Sequence, residues 1–237
     1  MQLSHKRISH ENGDDRNSLR NNTLLADSIR LSFGANDVLT GAWLHSRTGM
    51  VTGLLGRNGS GKSCMFRAIM GALKTQDLYV KVNDEIVTGS LRMGSYIKYL
   101  SQKPFLPNKM RLAEVFDLFE ADYDALVVEF PQFNDYRETK VGELSGGEVR
   151  IAEIWLCLCS NAPFCILDEP FSYLAPVAVE RVQRLILREK QNKGIIVSDH
   201  NYEALLEVAD EVLLLSGGYV HLIKERSDLV RYGYLRG

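Results

Sequence analysis

The sequence predicts an α/β fold: a mostly parallel sheet covered by helices, with an antiparallel β arm and a helical insert attached to it. The first observation behind this is rhythm, because short apolar runs alternate with longer amphipathic segments in the βαβ manner. "MVTGLL" precedes a helix expected over about 61–73, "FCILD" one over about 176–191, and "GIIVSD" one over about 202–208. The second is that two regions depart from the rhythm. "LYVKVNDEIVTGSLRMGSYIKYLS" has β-rich pieces broken by Asn-Asp and Thr-Gly-Ser, which predicts an antiparallel arm whose last strand, about 97–101, joins the sheet. After "PFLPN", the runs "RLAEVFDLF" and "DYDALVVEF" are short and helical in pattern, which predicts an insert over about 104–160. Near the end, "EVLLLSGGYVHLI" reads as two strands joined through Gly217 and Gly218.

The totals bound the class. A chain of 237 residues, 45% hydrophobic and 24% charged, is long enough to bury a sizeable core. Its net charge of −2 gives no general electrostatic reason to hold nucleic acid or an anionic membrane surface, so no direct nucleic-acid partner is expected. The four cysteines, Cys64, Cys157, Cys159 and Cys165, lack zinc spacing and sit in apolar runs; buried, reduced thiols are expected, as in the cytosol. No apolar run reaches bilayer-spanning length, and the start lacks a signal-peptide layout, so a soluble intracellular chain is expected. Residues 1–23 are polar and without period, which predicts a disordered tail before a single domain over 24–237. There is no internal repeat.

Two stretches point to phosphate. "GRNGSGKS", residues 56–63, follows an expected strand and opens an expected helix, the context that the pattern G-x-x-x-x-G-K-[ST] requires. Gly56, Gly59 and Gly61 let backbone N–H groups wrap phosphates, Lys62 adds a mobile positive charge, and the Ser63 hydroxyl can ligate Mg²⁺. The second stretch is "LSGGE", residues 144–148. Ser145 and Glu148 form the S-x-x-E pattern of a capping box, so a helix should start there with Gly146 and Gly147 baring its N-terminal N–H groups. A capping box opening an ordinary helix is the simpler reading of that stretch alone.

Further polar residues end expected strands. Asp168 closes "FCILD" and can hold Mg²⁺, while Glu169, one residue on, can take a proton from an attacking water. Gln102 follows "IKYLS" and could orient water and metal; His200 follows "GIIVSD" and could donate to a phosphate oxygen. Ligands of open parallel sheets bind beyond the carboxyl ends of strands, where all these candidates fall.

In this order the motifs resemble those of the nucleotide-binding subunits of ATP-binding cassette (ABC) ATPases, over about residues 27–223. "GRNGSGKS" is similar to Walker A, "LSQ" to the Q-loop, "LSGGE" to the family signature, "FCILDEP" to Walker B and "SDH" to the switch region. The resemblance implies a P-loop NTPase (RecA-like) core and an Mg²⁺-dependent ATPase. It implies ATP held by Gly56, Arg57, Asn58, Gly59, Ser60, Gly61, Lys62, Ser63 and Cys64, with Ser63, Gln102 and Asp168 at the metal and Glu169, His200 and Gln102 in catalysis. It implies a homodimer packed head to tail, in which Ser145, Gly146 and Gly147 of one copy close over the ATP of the other. A multi-span membrane subunit would place the chain at the cytoplasmic face of the inner (cell) membrane, with Phe105, Leu106, Phe116 and Phe119 as apolar contacts. Phe33 matches the family's adenine-stacking aromatic, although Ile29, Leu31 and Phe33 also alternate as the buried face of a strand does. Where the family reads S-A-L-D, this chain has "SYLA"; Ala175 stands in place of an acid at the expected N-cap of the helix that Pro176 begins, so that a weaker cap, intact ATP binding and altered coupling between the two sites are expected. An ATP switch on soluble machinery and a regulatory ATP binder with weak turnover are the alternatives.

Overall fold

The computed structural model describes residues 21–235. The buried positions of β1 and β2 and the fully buried strand before the phosphate loop set its shape, because the strands bury their apolar sets against different layers. The strands β1 (Thr23–Phe33), β2 (Asn36–Arg47), β4 (Asp77–Val82) and β5 (Glu85–Ile86) form an antiparallel sheet in the order β2-β1-β4-β5. The second sheet runs β10-β9-β3-β8-β7-β6, from β3 (Val51–Leu55), β6 (Ile97–Leu100), β7 (Phe164–Asp168), β8 (Gly194–Ser198), β9 (Glu211–Ser216) and β10 (Tyr219–Ile223). Its five strands from β9 to β6 are parallel and β10 is antiparallel.

Every residue of β3, β7 and β8 is buried, as strands covered on both faces must be. Successive residues serve opposite layers. Leu54, Ile166 and Ile196 pack with Phe66 and Ile69 of α1 (Lys62–Ile69) and with the antiparallel sheet. Leu55, Leu167 and Val197 pack with α5 (Gly146–Leu158), α6 (Pro176–Glu189) and the insert helices α3 (Leu112–Leu118) and α4 (Tyr123–Glu129). The carboxyl ends of β3, β6, β7 and β8 therefore lie side by side, between two rigid layers.

Several expectations are corrected. The helix after the phosphate loop ends at Ile69, not near residue 73. Gly71, at φ +69°, ends it: its N–H donates to Ala68 O and that of Ala72 to Arg67 O, the paired bonds of a Schellman stop. "SLRMGSY" is not part of a β arm but a short helix, α2 (Ser90–Tyr96), because only Met93 of it is buried and no strand-like alternation exists to pair. α7 (Tyr202–Leu206) also stops early. Of the expected apolar contacts, Leu106 and Phe116 are buried in the core under the insert, while Phe105 and Phe119 stay exposed with ring centroids 6.0 Å apart. Cys157 and Cys165 are buried, but Cys64 and Cys159 are only half-buried; burial pushes the Cys157 thiol up to about 12. Most of the expected 1–23 tail lies outside the described residues, and β1 already starts at Thr23.

Candidate nucleotide site

The loop between β3 and α1 is built so that only backbone fits against it. Gly61 precedes α1 at φ +107°, and a Cβ there would come within 2.9 Å of Val38. A Cβ on Gly56 would meet Ser60 Oγ at 2.6 Å and Leu215 O at 3.0 Å. With no room for a side chain at Gly56 and Gly61, the backbone there is free to approach phosphate oxygens closely, as in loops that hold them by N–H groups. Lys62 is 5% exposed, and its ammonium folds back over the loop to donate to Gly56 O at 2.7 Å. Burial lowers its pKa below the usual 10.5, while Glu169, Asp168 and Asp199 act in the opposite sense. An ammonium in that position gains most from a further anion.

In front of the loop opens a cavity of about 510 Å³. Of the sequence candidates, Phe33, residues 58–64, Gln102 and Glu169 line it, joined by Val38. Phe33 does not continue the buried face of Ile29 and Leu31; it is 54% exposed at the end of β1 and stands at the cavity wall. Arg57 turns away, its guanidinium donating to Gly233 O behind the loop. A second cavity, of about 580 Å³, adjoins the first through Ser63 and Gln102 and contains Asp168.

Asp168, the last residue of β7, is fully buried, and each carboxylate oxygen has a hydroxyl partner. Ser198 Oγ donates to Oδ1 at 2.6 Å, and Tyr99 OH donates to Oδ2 at 3.1 Å. Burial first, then the charge of Asp168, pushes the Tyr99 phenol well above its usual range, so it stays a donor. A hydroxyl, an amide and a fixed carboxylate around one cavity form the oxygen donor set that a hard cation such as Mg²⁺ takes, and Ser63, Gln102 and Asp168 fit it.

Glu169 is placed by its backbone. Its φ is +53°, its N–H donates to Ser198 O at 2.7 Å, and its carbonyl accepts from Arg150 Nη2 at 3.0 Å. Its carboxylate Oε2 lies 3.8 Å from His200 Nδ1, which is also 3.6 Å from Asp199 Oδ1. Asp199 is buried and accepts the N–H groups of Phe171 and Asn201 at 3.0 and 2.8 Å; burial raises its pKa. The loop after β8 thus sets His200 beside Glu169, although His200 lines neither cavity.

The capping box at α5 is present. Ser145 Oγ accepts from Glu148 N at 3.3 Å, and Glu148 Oε2 accepts from Ser145 N at 2.7 Å. The N–H groups of Gly146 and Gly147 have no acceptor within the helix, Ser145 and Gly146 are exposed, and a Cβ on Gly146 would meet nothing within 4 Å. None of these three residues lines either cavity. The chain therefore carries a phosphate cradle in one place and a bare helix N-terminus in another. At Ala175, N-cap of α6 before Pro176, no side chain caps the helix.

Sequence reasoning missed Tyr99 and Ser198, whose hydroxyls read as ordinary strand positions. It also missed Arg150 and Glu153. Two opposite charges three apart within an otherwise apolar helix were the available signal.

A parallel sheet with a glycine-rich phosphate loop, an ammonium folded over it and acids at the neighbouring strand ends define a P-loop NTPase. The family model described as ABC transporter matches residues 39–172, more than half of the chain, and the chain belongs to this family as the ATPase subunit of an ABC transporter. It is 30% identical to a probable ABC transporter ATP-binding protein of Azorhizobium caulinodans, covering 93% of this chain and 83% of that one. It is 28% identical to the lipopolysaccharide export system ATP-binding protein LptB of Escherichia coli, covering 84% of this chain and 88% of the relative. The solved ATP binding subunit of an ABC transporter superposes with a TM-score of 0.78 at 23% identity, over 90% of this chain and 94% of that one. Among the described residues, no helix is long and apolar enough to cross a membrane.

Proposed function

We propose that two copies of this chain close head to tail over two ATP molecules and hydrolyse them to drive a separate multi-span membrane subunit, at the cytoplasmic face of the inner membrane. The observation that carries this reading is the separation of the two phosphate-binding features: the cradle at residues 56–63 faces a cavity that its own 145–147 segment does not line. Only a second copy brings the two together.

In this reading the loop N–H groups and Lys62 hold the β- and γ-phosphates, and Phe33 lies against the base at the open end of the cavity. Ser63, Gln102 and Asp168 would hold Mg²⁺, which when bound neutralises phosphate charge. Gln102 orients the attacking water. Glu169, fixed in a left-handed turn beside the cavity, takes its proton, and His200 donates to the γ-phosphate. Ser145 is engaged with Glu148 in the capping box, which leaves the N–H groups of Gly146 and Gly147 to donate to the γ-phosphate of the other copy, and the Ser145 hydroxyl joins them by turning from Glu148. The exposed pair of Phe105, three residues past Gln102, and Phe119, at the end of α3, offers the apolar contact for the membrane subunit. Ala175, with no capping side chain, favours a second reading of weaker coupling between the two sites.

Glu169→Gln keeps the shape of the side chain and removes the base. Turnover should fall by about a thousandfold, and an ATP-dependent dimer should accumulate on size-exclusion chromatography. Retained turnover removes Glu169 as the base.

A further inference from the structure

Arg150 and Glu153 stand on the inner face of α5, where every other buried side chain is apolar. Glu153 is fully buried, Arg150 is nearly so, and Arg150 Nη1 lies 3.6 Å from Glu153 Oε2. Burial raises the carboxyl pKa of Glu153, opposed by the bonds it accepts and by Arg150. A charge pair in that place costs desolvation and needs excellent hydrogen bonding to persist.

The partners of the pair are the backbone of the candidate site. Arg150 Nη1 donates to Ser101 O at 2.7 Å, the residue before Gln102. Its Nη2 donates to Asp168 O at 2.6 Å and to Glu169 O at 3.0 Å. Glu153 Oε1 accepts from Phe105 N at 2.6 Å and from Leu106 N at 3.3 Å. A non-glycine residue at φ +53° is held against relaxation, which here means from both ends: the Glu169 N–H by Ser198 O and its carbonyl by Arg150. Turning that peptide to an ordinary conformation breaks the Arg150 bond.

We propose that Arg150 is a positioning residue for hydrolysis: with Glu153 as counter-charge, it fixes the turn that aims Glu169 and the loop that carries Gln102. The proposal rests on the reading of Glu169 as base and of the 145–147 segment as the lid of the partner's site. Arg150 lies five residues beyond Ser145, about 7.5 Å along the same helix. A push on the helix tip by ATP in one site is thereby delivered to the base and the water-orienting amide of the other.

The test separates turnover from binding. The double variant Arg150→Met, Glu153→Gln removes both charges and keeps an amide oxygen for the Phe105 and Leu106 N–H groups. In the full-length chain, kcat should fall by about 30-fold, while KM and the affinity for a fluorescent ATP analogue stay within about twofold. Arg150→Lys keeps the charge, but one ammonium cannot span the carbonyls of both strand ends; a loss of about tenfold in kcat alone is expected. Combined with Glu169→Gln, Arg150→Lys should still give the ATP-dependent dimer. Wild-type turnover in either folded variant, or equal losses in binding and kcat, overturns the proposal; should the double variant not fold, Arg150→Lys decides by the same measurements. If Glu169→Gln itself retains turnover, the base assignment has failed instead, and the two failures are told apart.

Discussion

The two ends of this chain to which the proposed function assigns phosphate are built on opposite terms. At the P-loop, the charged groups are buried and already in position: Lys62 is bonded to Gly56 O, and Asp168 is clamped by Ser198 and Tyr99. At the start of α5, Ser145 and Gly146 are exposed, and what is fixed is only the helix end, by the capping box. The first can bind a polyanion unaided. The second offers a few N–H dipoles and a hydroxyl, too little to hold ATP from water, and in the proposed dimer it becomes effective only when a nucleotide already bound by the other copy is carried to it. Strong binding and closure are thus assigned to different residues, so each can be broken separately.

The largest expected effects break one end while sparing the other. Lys62→Ala should weaken ATP binding to the free chain by about 100-fold, since it removes the charge that the loop folds around. Gly146→Asp should do the reverse. Its Cβ has open space, and a carboxylate in the first turn favours the helix, so the chain itself should be no less stable. The same carboxylate repels a triphosphate. Turnover should drop by about 100-fold with equilibrium binding to the free chain unchanged, as read by nucleotide fluorescence against phosphate release. Equal loss of binding in both variants would show that the two ends serve one site.

The contrast also explains what was legible beforehand. The P-loop was readable because close backbone approach, a mobile charge and a hydroxyl each demand a residue type at a fixed step, and all fall within eight positions, 56–63. The start of α5 was readable for the same reason, as a capping box is local. Arg150 was not, because its partners lie 18 to 49 residues away and only the folded sheet brings them together. Likewise Phe105 and Leu106 are neighbours of one apolar run, yet one is exposed and the other buried, a difference decided by the insert packing over them. "SLRMGSY" shows the converse: its β-rich surroundings suggested a strand, but a segment with one buried side chain is free to follow local helix preference.

A smaller effect is expected at Ala175. The N-cap position of α6 has extended backbone geometry and no side-chain acceptor, so Ala175→Asp supplies the missing bond in place. A gain of about 1 kcal/mol is the usual worth of such a cap, which for a chain of this size raises Tm by about 3 °C. If the same segment transmits closure between the copies, the Hill coefficient of ATP hydrolysis should rise as well. A Tm gain with an unchanged Hill coefficient would confine Ala175 to stability.

The smallest effect sharpens the account of the α5 tip. Glu148 is only partly buried; desolvation pushes its carboxyl up, but the Ser145 N–H, the Ser145 hydroxyl and Tyr136 more than offset this and hold it below the usual 4.5. A carboxyl lowered on folding contributes stability that is fully present above 4.5 and is lost as pH falls through its lowered value. Glu148→Gln can still accept from Ser145 N but cannot titrate. The native chain should therefore exceed Glu148→Gln in Tm near neutral pH, by the equivalent of about 0.5 kcal/mol, and the gap should close on acidification. A gap that stays constant through that range would mean the carboxylate charge plays no part in holding the helix end that meets the second copy in the proposed dimer.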